Sequence, residues 1–122
     1  MNIFVFGSNR AGRHGRGSAL EALRNHGAQY AQGEGMQGKS YAIPTKDEHL
    51  RSLPLAEIQA GVNRFLEVAR ARPCDEFRVV QIGCGLAGYT PAQIAPFFRD
   101  APVNVCLPKE FIAVLQEGLT HG

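Results

Sequence analysis

Hydrophobic and polar positions along the chain predict strands that alternate with helices. Four short apolar runs are typical of strands buried in a sheet, and they cover residues 2–6, 40–43, 77–82 and 103–107. Four stretches with helical spacing of apolar residues follow these runs, at residues 18–26, 55–70, a stretch that begins at Pro91, and 108–119. This alternation predicts an α/β sandwich with a mostly parallel sheet.

Glycines and prolines mark several of the element ends. Gly27 is a typical stop for the first helix, and Pro54 stands where a first-turn proline is tolerated. Thr90 is the expected N-cap of a helix, and Pro91 is its expected first residue. Pro44 cannot donate to a strand ladder, so we expect it to end the second strand.

Residues 28–38 show neither the spacing of apolar residues that is typical of a strand nor the one that is typical of a helix. They contain three glycines and no regular spacing of apolar residues. We expect a loop here, which is either a mobile segment near the functional site or a plain surface excursion.

Composition places the chain among ordinary globular proteins. Its 122 residues favour a single domain over residues 1–122, and 44% hydrophobic with 20% charged residues is a usual balance. The formal net charge of +2 is too small to indicate non-specific nucleic-acid binding. No apolar run approaches the roughly 18 residues of a membrane span, and the N-terminus lacks the pattern of a signal peptide.

The cysteines argue for a reducing compartment. Cys74, Cys84 and Cys106 are an odd set without C-x-x-C spacing. They favour free thiols in the cytoplasm over a disulfide framework, and they give no zinc site.

A glycine-rich segment, residues 9–17, links the first strand to the first helix and is called the first loop below. It contains three glycines and three arginines (Arg10, Arg13 and Arg16), and the first acidic residue of the chain is Glu21. Glycines let a ligand approach the backbone, and free amides with the helix dipole favour an anion at the helix start. The spacing matches neither the P-loop nor the G-x-G-x-x-G fingerprint. We interpret the loop as a phosphate-binding segment, the alternative being a tight strand-to-helix turn.

Two further features follow strands and therefore belong at the same edge of a parallel sheet. Lys46 comes directly after the second strand, and residues 83–89, the second loop, are glycine-rich and follow the third strand. Two such loops facing each other can hold a diphosphate with backbone amides. Partial burial beside a basic loop would favour a neutral amine on Lys46, which could act as a nucleophile or a general base. The alternative is a lysine that only neutralises phosphate or lies on the surface.

Three other side chains are candidates for ligand contacts. Asn9 can hydrogen-bond a ribose hydroxyl or serve as an ordinary turn residue. His14 lies either over the ligand or in solvent. Tyr89 offers a ring and a hydroxyl to a sugar or base, or packs in the core or its rim.

Together these motifs resemble a macrodomain, the ADP-ribose-binding fold. The first loop, with Ser18 and Ala19, resembles the macrodomain ribose loop, in which an Asn precedes a Gly-x-Gly-x-Ala helix start. Residues 41–46 (YAIPTK) and 82–86 (IGCGL) are similar to the lysine strand and diphosphate loop of one branch. That branch contains the lysine-dependent glycohydrolases that remove ADP-ribose from DNA or terminal ADP-ribose from proteins.

The resemblance implies a three-layer α/β/α macrodomain-like sandwich, shortened at its N-terminus, that binds ADP-ribose without a metal or other cofactor. It implies Lys46 as the catalytic residue, attacking or orienting at the anomeric carbon. The ligand would be ADP-ribose or an ADP-ribosylated nucleic acid or protein. The ligand-binding residues would be Ser8, Asn9, His14, Gly15, Gly17, Gly83, Cys84, Gly85, Leu86, Ala87, Gly88 and Tyr89.

One departure from the branch leaves two functions open. The protein-directed members carry an acidic residue directly after Gly-Cys-Gly-Leu, where this chain has Ala87. The DNA-directed members lack that acid. The chain is therefore expected to be either an ADP-ribosyl hydrolase that uses Lys46 or a non-catalytic module that binds ADP-ribose or an NAD-derived signalling nucleotide. A third alternative is a structural or partner-binding domain that kept the fold and lost the ligand.

Overall fold

Strands and helices alternate along the computed structural model, which describes the backbone of residues 1–120 and the side chains of residues 1–117. The described strands are β1 (Asn2–Asn9), β2 (Gly35–Gln37), β3 (Ser40–Lys46), β4 (Glu76–Val79) and β5 (Val105–Cys106). The described helices are α1 (Gly17–Asn25), α2 (Leu55–Ala71), α3 (Pro91–Ile94) and α4 (Lys109–Thr120), and a 3₁₀ turn covers Ala95–Phe98.

The five described strands form one mostly parallel sheet with the order β2-β3-β1-β4-β5. Strand β1 is central and pairs in parallel with β3 and β4, and β5 is parallel to β4. Only β2 is antiparallel, to β3. The expectation of a mixed α/β fold with a mostly parallel sheet is therefore confirmed, and the carboxyl ends of β1, β3 and β4 lie side by side.

Alternate residues of the strands bury both faces of the sheet. On β1, Ile3 and Val5 belong to the larger apolar cluster, while Phe6 belongs to a smaller one with Ala19 and Ala22 of α1. The larger cluster also contains apolar residues of α2, α3, the 3₁₀ turn and α4, among them Ile58, Val62, Phe65, Ile94, Phe98 and Phe111. Because each face is covered by helices, the arrangement is compatible with an α/β sandwich.

Strand β3 runs past the proline that was expected to end it. Pro44 pairs with Ser8, and the register shifts between Ser8 and Asn9, so that Asn9 pairs with Lys46. Thr45 donates its hydroxyl hydrogen to the Ser8 carbonyl at 3.2 Å. The expectation was wrong because the irregular register and this side-chain bond compensate for the missing amide hydrogen of the proline. Strand β3 therefore continues to Lys46 at the edge of the sheet.

The third and fourth predicted strands are shorter than their apolar runs. Strand β4 ends at Val79 because the chain turns sharply afterwards, with the Ile82 amide donating to the Val80 carbonyl at 2.7 Å. Ile82 is still buried, in the larger cluster beyond the sheet. Strand β5 covers only two residues, and Val103 before it is fully exposed.

Residues 28–38 are partly a strand, so the expectation of a plain loop is wrong for residues 35–37. Strand β2 pairs there with β3, and Gln37 is buried. The segment also supports the first loop, since a Cβ atom on Gly33 would lie 2.4 Å from the Asn9 carbonyl oxygen. Ser8 donates its hydroxyl hydrogen to the Gly33 carbonyl. Residues 28–38 are therefore packed beneath the first loop.

Candidate functional site

A cavity of about 620 Å³ opens at the carboxyl edge of β1, β3 and β4. Its volume lies within the range of small-molecule sites, about 300–1,000 Å³. It is lined by Gly7, Ser8, Asn9, Arg13, Gly15, Arg16, Gly17, Ser18, Ala19, Thr45, Lys46, Leu50, Gln81, Gly83, Gly85, Leu86 and Ala87. The two glycine-rich loops and Lys46 thus share one space, as the order of strands and motifs predicted.

The first loop is shaped by the side chain of Asn9. The Asn9 Oδ1 accepts the Arg13 amide, and Nδ2 donates to the Arg13 carbonyl, both at 2.9 Å. The Arg10 amide donates to the Lys46 carbonyl at 2.9 Å, which ties this loop to the end of β3. Asn9 lines the cavity, but both ends of its amide already hold the loop, and contact with a ribose stays a prediction.

The start of α1 presents free amides to the cavity. Arg16 is the N-cap residue in an extended conformation, no side chain caps the helix, and its first turn contains no acidic residue. The Leu20 amide is the first to find an acceptor in the helix, at the Arg16 carbonyl. Residues 17–19 all line the cavity, and a helix start whose first amides have no acceptor favours an anion.

The second loop adds a second group of amides. Its internal bonds use the amides of Gly88 and Tyr89, which donate to the Gly85 and Gly83 carbonyls at 3.0 and 2.9 Å. In the described part of the chain, the amides of residues 85–87 donate to no protein acceptor. Gly83 adopts a φ of +74°, and a Cβ atom there would lie 3.2 Å from Ile94 Cδ1, so any other residue would be strained at this position. Consecutive free amides in a turn make a concave site for an anion.

Lys46 stands at the base of a short turn, residues 46–52, that forms another wall. Lys46 and Ser52 form an antiparallel bridge, and Ser52 donates its hydroxyl hydrogen to the Ala87 carbonyl at 2.6 Å. Asp47 Oδ1 accepts the amides of His49 and Arg51 at 2.8 and 3.0 Å. The Arg51 amide, followed by that of His49, holds the pKa of Asp47 below its ordinary value. The ionised carboxylate thus fixes the turn that carries Lys46.

The cavity is lined by positive charge without compensation. Arg13, Arg16 and Lys46 line it, and none of its lining residues in the described chain is acidic. Arg10 differs from the other two arginines of the first loop, because it is ion-paired with Glu57 at 2.7 Å and does not line the cavity. An anion of two or more charges is the chemical complement of this surface.

Four predicted ligand residues are not brought to the cavity. The ring of His14 is buried under the first loop, edge-on to Phe6 with centroids 5.3 Å apart. Tyr89 packs against the larger apolar cluster and donates its hydroxyl hydrogen to the Leu53 carbonyl at 2.5 Å. Cys84 and Gly88 do not line the cavity either.

His14 and Cys84 have buried environments that account for their absence from the cavity. His14 Nε2 lies 3.2 Å from Gln37 Oε1, and because that oxygen only accepts, Nε2 is the donor. His14 is thus a core histidine, which neither sequence interpretation considered. Burial raises the pKa of the Cys84 thiol, so Cys84 is held in the unreactive protonated form.

The structure adds lining residues that the motifs did not indicate. Leu50 and Gln81 are the clearest, since they lie outside both loops, in the turn after Lys46 and just before Gly83. Leu50 has a φ of +64°, which is unusual for a residue other than glycine. The motif Asp47-x-His49, with a carboxylate that accepts local amides, was the only sequence signal for this turn.

Comparison of the chain with protein-family models, curated proteins and solved structures finds no match. None of the described helices combines the length and apolar character of a membrane span. Within the same residues, His, Cys, Asp and Glu side chains form no group of three that could hold a metal ion.

Proposed function

We propose that this chain binds ADP-ribose, or a conjugate of ADP-ribose, in the cavity at the carboxyl edge of the sheet. Among the described residues, one cavity combines two groups of free amides and three cations without ion-pair partners with a lining that lacks carboxylates, and this combination carries the proposal. A diphosphate has two charges and several acceptor oxygens, and such a surface binds it through backbone amides and charge-assisted bonds. Among ligands that contain a diphosphate, the resemblance of the motifs to those of macrodomains indicates ADP-ribose.

The same proposal assigns the fold to the macrodomain type, a three-layer α/β/α sandwich. Support comes from the helices on both faces of a mostly parallel sheet and from a cavity beyond the carboxyl ends of its central strands. Ligands of open α/β sheets are bound at that edge.

Lys46 is the proposed catalytic residue for hydrolysis of an ADP-ribosyl linkage. With the diphosphate held by residues 17–19 and 85–87, the outer ribose lies at the side of the cavity that Lys46 occupies. The Lys46 amine, once a proton has passed to water, can form a bond to the anomeric carbon while the bond to the leaving group breaks and the leaving group takes up a proton. Water then hydrolyses the adduct, which releases ADP-ribose and restores the amine.

A non-catalytic binding module is the second candidate. It is favoured by Ala87, which stands where protein-directed relatives of this type carry an acid, and by the lack of any carboxylate among the described lining residues. Without such a group, no side-chain base is at hand to activate water. Turnover decides between the two candidates.

Binding is tested first by calorimetry and thermal shift with ADP-ribose, with AMP as the ligand that lacks the diphosphate. At 100 times its dissociation constant, ADP-ribose should stabilise the folded chain by about 2.7 kcal/mol. AMP should bind at least tenfold more weakly. If ADP-ribose produces no shift at millimolar concentration, the proposal is wrong.

Catalysis is tested with ADP-ribosylated DNA and protein and three lysine variants. Lys46→Ala removes the amine, and Lys46→Arg keeps a positive charge without a nucleophile. Lys39→Ala is the matched control, because Lys39 is exposed at the opposite end of β3. Hydrolysis that survives in Lys46→Arg would assign Lys46 a charge role only, and no release by the unmodified chain would favour the binding module.

A further inference from the structure

Two exposed leucines form an apolar part of a cavity that is otherwise polar and cationic. Leu50 is 50% exposed and Leu86 is 64% exposed, and both line the cavity. Large apolar side chains that remain accessible inside a concave site usually contact the apolar part of a ligand. None of the lining residues in the described chain is aromatic, so these leucines are the largest apolar groups that a ligand meets there.

The two leucines belong to segments that are tied to the strand end where Lys46 stands. Leu50 belongs to the turn whose base is the bridge between Lys46 and Ser52. Ser52 donates its hydroxyl hydrogen to the carbonyl of Ala87, the residue that follows Leu86. This chain of contacts joins the turn of residues 46–52 to the tip of the second loop, and both leucines line the same cavity as Lys46.

The turn holds Leu50 in place before any ligand arrives. The Leu50 amide donates to the Asp47 carbonyl at 3.2 Å, and the Asp47 amide donates to the Arg51 carbonyl at 2.8 Å. Leu50 itself keeps a φ of +64°. A left-handed conformation is uncommon in a residue other than glycine, and such residues cluster at active sites and ligand clamps.

We propose that Leu50 and Leu86 form a subsite for the group attached to the outer ribose, and that this subsite selects an uncharged group with apolar surface over a cationic one. The selection has two causes. The leucines offer apolar contact to the attached group, and the three lining cations without a carboxylate repel a positive charge. This proposal rests on the proposed binding of ADP-ribose, because it needs the anomeric carbon beside Lys46.

Three probes share ADP-ribose and differ only at that carbon: ADP-ribose has a hydroxyl, NADH has an uncharged ring, and NAD⁺ has a cationic ring. Each nicotinamide probe is tested as its α and β anomer by calorimetry. We expect one anomer of NADH to bind at least tenfold more tightly than the same anomer of NAD⁺. Equal affinities for the two oxidation states in both anomers would overturn the proposal.

Substitutions locate the selectivity in the two leucines. Leu50→Ser and Leu86→Ser should each weaken NADH binding about fivefold to tenfold, and the ratio of NADH affinity to ADP-ribose affinity should fall by a similar factor. Val103→Ser is the control, because Val103 is fully exposed and does not line the cavity. A loss of the same size for ADP-ribose and NADH would overturn the subsite while leaving ADP-ribose binding established. Failure of ADP-ribose itself to bind would instead overturn the proposed function.

Discussion

Replacement of Gln37 by methionine should destabilise the chain by about 3 kcal/mol. Gln37 is only 3% exposed. Its Oε1 accepts the Gln29 amide at 2.8 Å and lies 3.2 Å from His14 Nε2, and its Nε2 donates to the Gln32 carbonyl at 3.1 Å. Methionine has a similar size but none of these bonds. Gln37 Nε2 also donates to the Gly35 carbonyl at a long 3.4 Å, a bond that contributes little. Each of the three other partly or fully buried partners that lose their bond costs about 1 kcal/mol.

The His14 ring makes the loss harder to relieve. It is 1% exposed, and within the described residues its Nδ1 is already buried without a partner. In the variant, both ring nitrogens would be buried and unpaired unless the first loop moved to admit water. A buried polar group without a hydrogen bond is costly, so the loss falls on the segment that carries Arg13 and Gly15.

Urea denaturation followed by circular dichroism measures the change. We expect a lower midpoint with an unchanged slope, since a two-state loss of native contacts alters stability and not the surface exposed on unfolding. Gln59→Met on the exposed side of α2 is the matched control, and it should change stability by less than about 0.5 kcal/mol. A loss below about 1 kcal/mol for Gln37→Met would refute the assignment of Gln37 as the residue that ties residues 28–38 to the first loop.

Three other changes test the site and the core. Gly33→Ala should destabilise by about 1–3 kcal/mol in the same urea assay, because its Cβ would lie 2.4 Å from the Asn9 carbonyl oxygen, whereas Gly85→Ala, with no atom within 4 Å of its Cβ, should be nearly neutral. Gly85→Glu should weaken ADP-ribose binding at least tenfold in calorimetry and Gly85→Gln much less, since only the former adds a carboxylate to the proposed diphosphate site. Equal losses for the two variants would indicate an effect of side-chain size and not of charge. Burial, assisted by the charge of Glu34, raises the pKa of Tyr41 to about 12 from 10.0. The contribution of neutral Tyr41 to the free energy of unfolding is complete below pH 10 and is lost as the pH rises towards 12, by at most about 2.7 kcal/mol. In denaturation measured between pH 10 and 12, Tyr41→Phe should therefore lose less stability than the unmodified chain.

Elements with strong local signals were predicted from the sequence. The helix that begins at Pro91 is one example, because Gln93 Oε1 accepts the Thr90 amide at 3.0 Å and the proline occupies the first turn. The order of strands and loops also sufficed to bring the two loops and Lys46 to one edge. These features depend on short stretches of sequence and on the general geometry of parallel sheets.

Features that depend on distant partners were not predicted. Strand β2 has only three residues, and it is stabilised by pairing with β3 and by the hydrogen bonds of the Gln37 side chain. The direction of the His14 and Tyr89 side chains is set by Phe6, by Gln37 and by the Leu53 carbonyl. No local pattern encodes such contacts, so ring orientations near a glycine-rich loop cannot be derived from spacing alone.

The cavity is built so that its walls are fixed before a ligand binds, and this limits what the chain can do chemically. The Arg10 amide ties the first loop to Lys46, and Ser52 ties the turn after Lys46 to the second loop. Because these ties hold three separate strand ends together, a ligand has little to order on entry, and the entropic cost of binding is small. The same walls offer one amine, two guanidinium groups, hydroxyl and side-chain amide groups and backbone amides, with no carboxylate among the described lining residues. For the proposed hydrolysis, the Lys46 amine is the strongest nucleophile among these groups, and the alternative is a step driven by strain in the bound conjugate. Lys46→Arg separates these two routes, because arginine preserves the positive charge and removes the proposed nucleophile.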